Sequence, residues 1–268
     1  MRLNVSCLAI VASFVVSVPT VALNVCADPN YLPFSNRAGA GFENSVATAV
    51  ATALGETVQY TWASFRGRGG FPQFLSATLD AKKCDVVMSL PYGSREELTT
   101  RPYYVSSYVF VFEKSKHYDI TSMDSPVLKR LKLGFERDTP AEDALKVRGM
   151  IPGTPPGAIV PFSVGDDNDA SPASLLAALK KGDIDVLITW QPAISGFLRD
   201  YPDLEVVGIP NTRALGAPEQ YSFPMSMGVR EGDTVLKKRL DDVIEKHQAE
   251  FTTILREHGV MTPAQGAK

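Results

Sequence analysis

The stretch "YYVSSYVFVFEK", residues 103 to 114, decides how the fold of this chain is interpreted. Aromatic and β-branched residues make up most of it, which favours an extended strand. Its length exceeds that of a typical strand of about five or six residues. The run therefore predicts a strand long enough to pass from one folded body into another.

Two stretches on either side of this run share one spacing. They are "LSATLDAKKCDVVMSLP", residues 75 to 91, and "LLAALKKGDIDVLITWQP", residues 175 to 192. Each predicts a helix, a tight turn and a buried parallel strand. Such units recur in every α/β protein, so the similarity is either an internal repeat or a coincidence. Either interpretation requires two sheets or one long sheet.

A second β-rich run, residues 221 to 229, is similar to the first, and an apolar stripe at helical spacing follows over 234 to 259. If both runs are hinge strands, the chain is an α/β protein with two Rossmann-like lobes. The predicted first lobe comprises residues 23–110 and 222–268. The second lobe comprises 111–221.

The first 22 residues differ from the rest. Arg2 is followed by an apolar run over 5–18 and by small residues at 20–22, the pattern of a secretory signal peptide. The alternative is a membrane anchor, but the run is shorter than the roughly 20 apolar residues that span a bilayer. We expect an exported, periplasmic protein that begins near Leu23. The net charge of -3 gives no electrostatic footprint for nucleic acid.

Export changes how the cysteines are interpreted. Cys7 leaves with the signal peptide, so Cys26 and Cys84 remain as a candidate disulfide in an oxidising compartment. Against that bond, Cys26 lies late in one strand and Cys84 opens another, which offsets parallel neighbours by about 10 Å. Both interpretations stay open. The scattered histidines predict no metal site, and the sequence predicts no cofactor.

The loop "CADPNYLPFSNRAGAGFE", residues 26 to 43, indicates where a ligand binds. It follows a short apolar strand, Leu23 to Ala27, and precedes a helix over Ser45 to Leu54. Loops at the carboxyl ends of strands line the ligand crevice in open α/β sheets. We expect this loop to face the cleft between the lobes.

The motifs in this chain resemble, in order, those of the type II periplasmic solute-binding proteins of the amino-acid-binding kind. The resemblance covers nearly the whole mature chain. Within this family, the chain is similar in particular to the MoxJ and XoxJ group, which assists pyrroloquinoline quinone (PQQ) methanol dehydrogenases. The stretches that carry it are "CADPNYLPFSN", "GFENSVATAVATALG", "RGRGGF", "CDVVMSLPYG", "LTTRPYYVSSYVFVFEK", "DIDVLITWQPA" and "YSFPMSMGVREGD".

This resemblance implies the type II fold, with a PQQ methanol dehydrogenase carrying calcium or a lanthanide as the partner, or else a small-molecule ligand. It also implies a set of residues that face the cleft and bind the ligand or partner. They are Asp28, Tyr31, Phe34, Trp62, Arg66, Arg68, Ser89, Tyr92, Arg95, Thr99, Tyr103, Tyr104, Trp190 and Gln191.

The arginines have two interpretations each. Arg95 lies nearest the arginine that clamps a ligand carboxylate in this family, but its segment is about two residues shorter than the family pattern, so it is alternatively a solvated charge. Arg66 and Arg68 flank a glycine in "SFRGRGGF". They either meet an anionic ligand or partner, or belong to a solvated surface loop.

Three other residues also have a structural alternative. Trp62 follows a strand and is either a cleft residue or part of the first core. Asp28 precedes Pro29, where a carboxylate commonly caps a turn. Trp190 follows a strand that ends in Thr189, and Gln191 and Pro192 prevent its smooth continuation, so we expect Trp190 on the cleft wall.

Three functions compete. Cyclohexadienyl dehydratases share the fold, but an enzyme needs an acid or base aimed into the cleft, and only Asp28 and Glu43 in the first loop qualify. Transport of a small organic solute requires a polar cleft that closes. Assistance of a methanol dehydrogenase requires a cleft that accepts part of a protein. We favour the third function, which is not catalytic.

Overall fold

The computed structural model describes residues 21–64, 69–95, 97–153, 158–162 and 171–262. Residues 1–20 of the predicted signal peptide and both Arg66 and Arg68 lie outside these ranges. Within them, no helix is both long and apolar enough to cross a membrane.

The first part of the chain forms strands that alternate with helices, followed by one long strand. Its elements are β1 (Ala22–Ala27), β2 (Asn30–Tyr31), β3 (Ser35–Asn36), α1 (Phe42–Leu54), β4 (Thr57–Trp62), α2 (Gly70–Ala77), β5 (Val86–Pro91), β6 (Leu98–Thr99) and β7 (Tyr104–Glu113). Strand β1 lies between β4 and β5 and is parallel to both. The helix–turn–strand unit predicted over 75 to 91 is present as α2 and β5.

The rest of the chain repeats this organisation and then returns. Its elements are β8 (Leu133–Glu136), α3 (Pro140–Val147), β9 (Ile159–Phe162), α4 (Pro172–Lys181), β10 (Val186–Trp190), α5 (Gln191–Ile194), β11 (Leu204–Gly208), β12 (Ser222–Val229) and α6 (Thr234–Glu257). Strand β8 lies between β9 and β10 and is parallel to both. The second predicted unit is therefore present as α4 and β10.

Strands β7 and β12 connect the two groups of strands, in the order β4-β1-β5-β12-β7-β10-β8-β9. The segment Tyr104–Ser107 of β7 pairs with β12. From Tyr108 onwards the same strand pairs with β10 and β11. The change of partner thus falls between Ser107 and Tyr108, a few residues before the predicted exit near Val111.

The buried side chains form separate cores on the two sides of this crossing. In the second group, Phe110 and Phe112 pack on the face covered by α3, whereas Val109 and Val111 pack on the face covered by α4. A strand buried on both faces needs a continuous apolar run, which explains the sequence of β7. This packing supports two lobes, here called lobe 1 and lobe 2, whose boundaries stay a prediction.

Cys26 and Cys84 form a disulfide within lobe 1, with their Cα atoms 5.5 Å apart. The strand register pairs Cys26 with Val87, as the offset argument expects. The expected 10 Å separation is nevertheless wrong, because the chain bends at Asp85 before β5 begins. The Asp85 amide donates to the Asn24 carbonyl oxygen at 2.7 Å and so holds this bend against β1.

The C-terminal segment connects lobe 1 to α5. Helix α6 packs on α1, and its start is capped by Asp233, whose carboxylate accepts from the Leu236 amide at 3.1 Å. Beyond the helix, the buried Gln191 side chain donates to the Gly259 carbonyl oxygen at 3.0 Å and accepts from the Met261 amide at 2.8 Å. The two hinge strands are therefore not the only connection between the lobes.

Candidate functional site

Two neighbouring cavities lie where β1, β5, β8 and β10 end. The larger has a volume of about 680 Å³ and the smaller of about 360 Å³, and both are lined by Tyr31 and Pro91. The larger cavity belongs to lobe 1, whereas the smaller one lies between the lobes. Of the predicted cleft residues, the two cavities bring together Asp28, Tyr31, Phe34, Ser89, Arg95 and Trp190.

The first loop supplies one wall of the larger cavity. Asp28 is buried at the end of β1, and its Oδ1 accepts from the Asn30 amide at 2.8 Å. Asp28 therefore caps a turn, as one interpretation of the sequence has it, and also lines the cavity. The rings of Tyr31 and Phe34 stack with centroids 4.7 Å apart. This wall is mainly apolar and aromatic.

Another part of the larger cavity combines a carboxyl group with hydroxyl groups. Glu43 lies in the first turn of α1, and burial raises the pKa of its carboxyl from 4.5 to about 7, while the Ser89 side chain lowers it in part. Ser89 has a φ of 51°, which is unusual for a residue other than glycine. Its hydroxyl lies 3.1 Å from that of Tyr103 and 3.2 Å from that of Tyr104.

Three aromatic rings form one wall of the smaller cavity. The ring centroid of Trp190 lies 5.3 Å from that of Tyr108 and 5.9 Å from that of Phe223. The Tyr108 and Phe223 centroids are 6.4 Å apart. These residues come from β10, β7 and β12, so both hinge strands contribute to this wall.

Glu136 is the charged side chain of the smaller cavity. It ends β8, is 8% exposed and forms no ion pair with any residue that the structure describes. Burial raises the pKa of its carboxyl from 4.5 to about 7, and the nearby Thr189 hydroxyl lowers it in part. Burial raises the pKa of Tyr108, and the charge of Glu136 adds to this shift.

Sequence reasoning missed Tyr108, Glu136 and Phe223 as site residues. Glu136 ends a buried strand, which is the position that favoured Trp190, and this signal was available. Tyr108 and Phe223 lie within the hinge strands, where the sequence pattern does not distinguish a core residue from a cleft residue.

Several predicted cleft residues serve the structure instead. Tyr103 and Tyr104 are buried beneath the larger cavity, where they hold Ser89. The Thr99 hydroxyl accepts from the Gly93 amide at 3.1 Å. Gln191 is fully buried and holds the C-terminal segment, as described above. Their side chains already have partners within the protein.

Trp62, Tyr92 and Arg95 lie nearer the surface of lobe 1. Trp62 stacks on Tyr60 with centroids 4.6 Å apart, and the guanidinium of Arg37 lies 5.5 Å from its ring centre. Tyr92 is 56% exposed and follows Pro91 at the edge of both cavities. Arg95 is exposed and lines the larger cavity.

The raised pKa values of Glu43 and Glu136 predict a pH-dependent stability. Between about pH 5 and 7 the native carboxyls hold protons that the unfolded chain has lost, so the free energy of unfolding falls as pH rises. We expect the double variant Glu43→Gln with Glu136→Gln to be about 1 kcal/mol more stable than the wild type at pH 8, because it removes the cost of burying two ionised carboxylates. The gain is no larger, because water in the cavities reduces that cost.

Urea unfolding at pH 5, 6.5 and 8 measures this difference. The exposed Glu205 of lobe 2 provides a control, since Glu205→Gln should leave the pH dependence unchanged. Parallel pH profiles for the wild type and the double variant would contradict the prediction.

The chemistry of the two cavities favours binding. Aromatic and apolar groups dominate both walls, and the polar groups that line them are few. Within the described ranges, no group of three or more His, Cys, Asp or Glu is placed to hold a metal ion.

Comparisons with known proteins agree with this architecture. A model of the bacterial extracellular solute-binding proteins, family 3, matches residues 23–258. Protein MoxJ of Methylorubrum extorquens is 33% identical over 252 residues, which cover 89% of this chain and 80% of MoxJ.

Two solved structures are also similar. The periplasmic binding protein XoxJ from Methylobacterium extorquens AM1 has a TM-score of 0.72 at 30% identity, over 91% of this chain and all of XoxJ. MxaJ from Methlophaga aminisulfidivorans MPT has a TM-score of 0.76 at 23% identity, over 90% of this chain and all of MxaJ. These likenesses confirm the α/β fold of the type II periplasmic binding proteins.

Proposed function

Because the chain belongs to the bacterial extracellular solute-binding proteins, family 3, and within them to the MoxJ and XoxJ group, we propose that it is a non-catalytic periplasmic accessory of a PQQ-dependent methanol dehydrogenase. It assists the maturation or activation of that enzyme by binding a segment of it in the cleft.

The composition of the smaller cavity is the observation that carries this proposal. A free amino acid brings an α-carboxylate, which binding sites commonly hold with an arginine. The described lining contains no cationic residue, and its one charged side chain is Glu136. At the N-terminus of α3, Pro140 also has no N–H that could donate a hydrogen bond to a carboxylate. A peptide segment carries no such carboxylate, so it meets no repulsion here.

The aromatic walls also suit a protein partner. Aromatic residues are enriched at the positions that dominate binding energy in protein interfaces. Trp190, Tyr108 and Phe223 are all partly exposed to the smaller cavity, and Tyr31 extends the aromatic surface into the larger one.

The attachment of the C-terminal segment favours a cleft that stays open. A hinge rotation that moved α5 away from the end of α6 would break both hydrogen bonds of Gln191. The Gly259 backbone also lies directly against Ser195, where an added Cβ would come within 2.7 Å of the Ser195 carbonyl oxygen. A closure that moved α5 in this way would therefore cost these contacts.

A direct capture experiment tests the proposal. The immobilised mature protein is incubated with the methanol dehydrogenase of the same organism, prepared without quinone and metal, and with the loaded enzyme in parallel. We expect retention of the dehydrogenase, stronger for the unloaded form if the protein assists maturation.

The larger cavity favours one alternative, transport of a small solute, since Arg95 and Asp28 both line it. A thermal-shift screen with amino acids, amines and small acids tests that alternative. A true ligand at one hundred times its dissociation constant stabilises the protein by about 2.7 kcal/mol. A strong shift with one solute, together with no retained dehydrogenase, would overturn the proposed function in favour of transport.

A further inference from the structure

We propose that the smaller cavity is a binding subsite for an organic cation, in which the Trp190, Tyr108 and Phe223 rings contact an alkylammonium group and Glu136 neutralises its charge. This inference adds a ligand class to the proposed function, and it rests on that function only in taking the cleft as the binding surface.

Charge is the first argument. Glu136 is 8% exposed and faces a cavity whose described lining has no positive group. A buried carboxyl without a cation is costly unless it stays protonated or acquires a partner. A ligand that brings a positive charge removes this cost, whereas an anionic ligand increases it.

The aromatic wall is the second argument, and it is independent of the first. The faces of Trp and Tyr rings attract cations within about 6 Å of the ring centre. The rings of Trp190, Tyr108 and Phe223 lie too close together for a cation to enter between them, with centroids 5.3 to 6.4 Å apart. They instead present one continuous aromatic surface beside Glu136.

Size is the third argument. A cavity of about 360 Å³ accepts a group of several non-hydrogen atoms, such as the end of a lysine side chain or a trimethylammonium group. Cations of this kind come either from a protein segment or from a free amine. The ligand chemistry is the same for both sources.

Two pairs of probes test the inference with the mature protein at pH 8 and low ionic strength. N-acetyl-lysine methylamide is compared with the neutral N-acetyl-norleucine methylamide, and choline with its uncharged carbon isostere 3,3-dimethylbutan-1-ol. Isothermal titration calorimetry measures each dissociation constant. We expect at least one cation to bind about 10-fold or more tightly than its neutral match.

The same pairs distinguish the two sources. Tighter binding of the capped lysine assigns the subsite to a protein segment, and tighter binding of choline assigns it to a free amine. Either result supports a cation subsite.

Substitutions locate the effect. We expect Glu136→Gln to weaken binding of the cation about 10-fold and to leave binding of its neutral match unchanged, while the control Glu205→Gln changes neither. Thermal unfolding verifies that the variants fold. If Glu136→Gln does not fold, Phe223→Leu serves instead and should weaken the preference for the cation.

Equal binding of the cations and their neutral matches, or no binding of any probe, would overturn the inference. So would a cation affinity that Glu136→Gln does not change. These outcomes would not contradict capture of the dehydrogenase. Conversely, cation binding without capture of the dehydrogenase would overturn the proposed function and leave the cation subsite standing.

Discussion

Removing the disulfide between Cys26 and Cys84 is expected to lower the free energy of unfolding by about 4 kcal/mol. The two cysteines are 58 residues apart in the sequence, and cross-linking so long a segment strongly restricts the unfolded chain. The bond also joins the end of β1 to the bend before β5, within a core that includes Phe74 and Leu79. Cys26 lines the larger cavity, so this bond supports the floor of the site.

Urea unfolding with and without dithiothreitol measures this effect. The control is the double variant Cys26→Ala with Cys84→Ala, which should match the reduced wild type approximately and should not respond to the reductant. If the wild type is equally stable in both conditions, the disulfide does not stabilise the protein and the prediction is wrong.

The substitution Trp190→Ala is expected to weaken binding of the unloaded dehydrogenase about 30-fold or more. Trp190 ends β10 and contacts Tyr108 and Phe223 on the cavity wall. Truncating a central aromatic residue of an interface commonly costs about 2 kcal/mol or more, because well-packed contact area is lost there. Surface plasmon resonance with immobilised protein gives both dissociation constants.

Tyr118→Ala provides a matched aromatic control. Tyr118 packs on Phe112, with ring centroids 5.7 Å apart, beyond the end of β7 that is remote from the cleft. We expect its substitution to leave binding of the dehydrogenase unchanged. Equal affinities for the wild type and Trp190→Ala would show that the dehydrogenase binds outside the cleft.

Much of the fold was predictable because it depends on local patterns. The continuous apolar run of β7 reflects burial on both faces, and the two similar helix–turn–strand units appear as α2–β5 and α4–β10. The boundaries of a binding surface also depend on how elements that are distant in the sequence pack together. Tyr103 and Tyr104 were predicted as cleft residues, yet α1 and α6 cover them. The sequence around residue 104 gives no sign of this cover, because α6 begins only at residue 234.

The sequence by itself therefore determined the α/β class, the crossing strand and the position of Trp190 at a strand end. Only the tertiary structure decided that the chain bends at Asp85 and brings Cys84 within bonding reach of Cys26. It alone placed Glu136 beside the ring of Tyr108 and engaged Gln191 with the C-terminal segment. The physical reason is that periodicity and turn chemistry act between neighbours in the chain, whereas these distances join residues from separate elements and are set by how those elements pack.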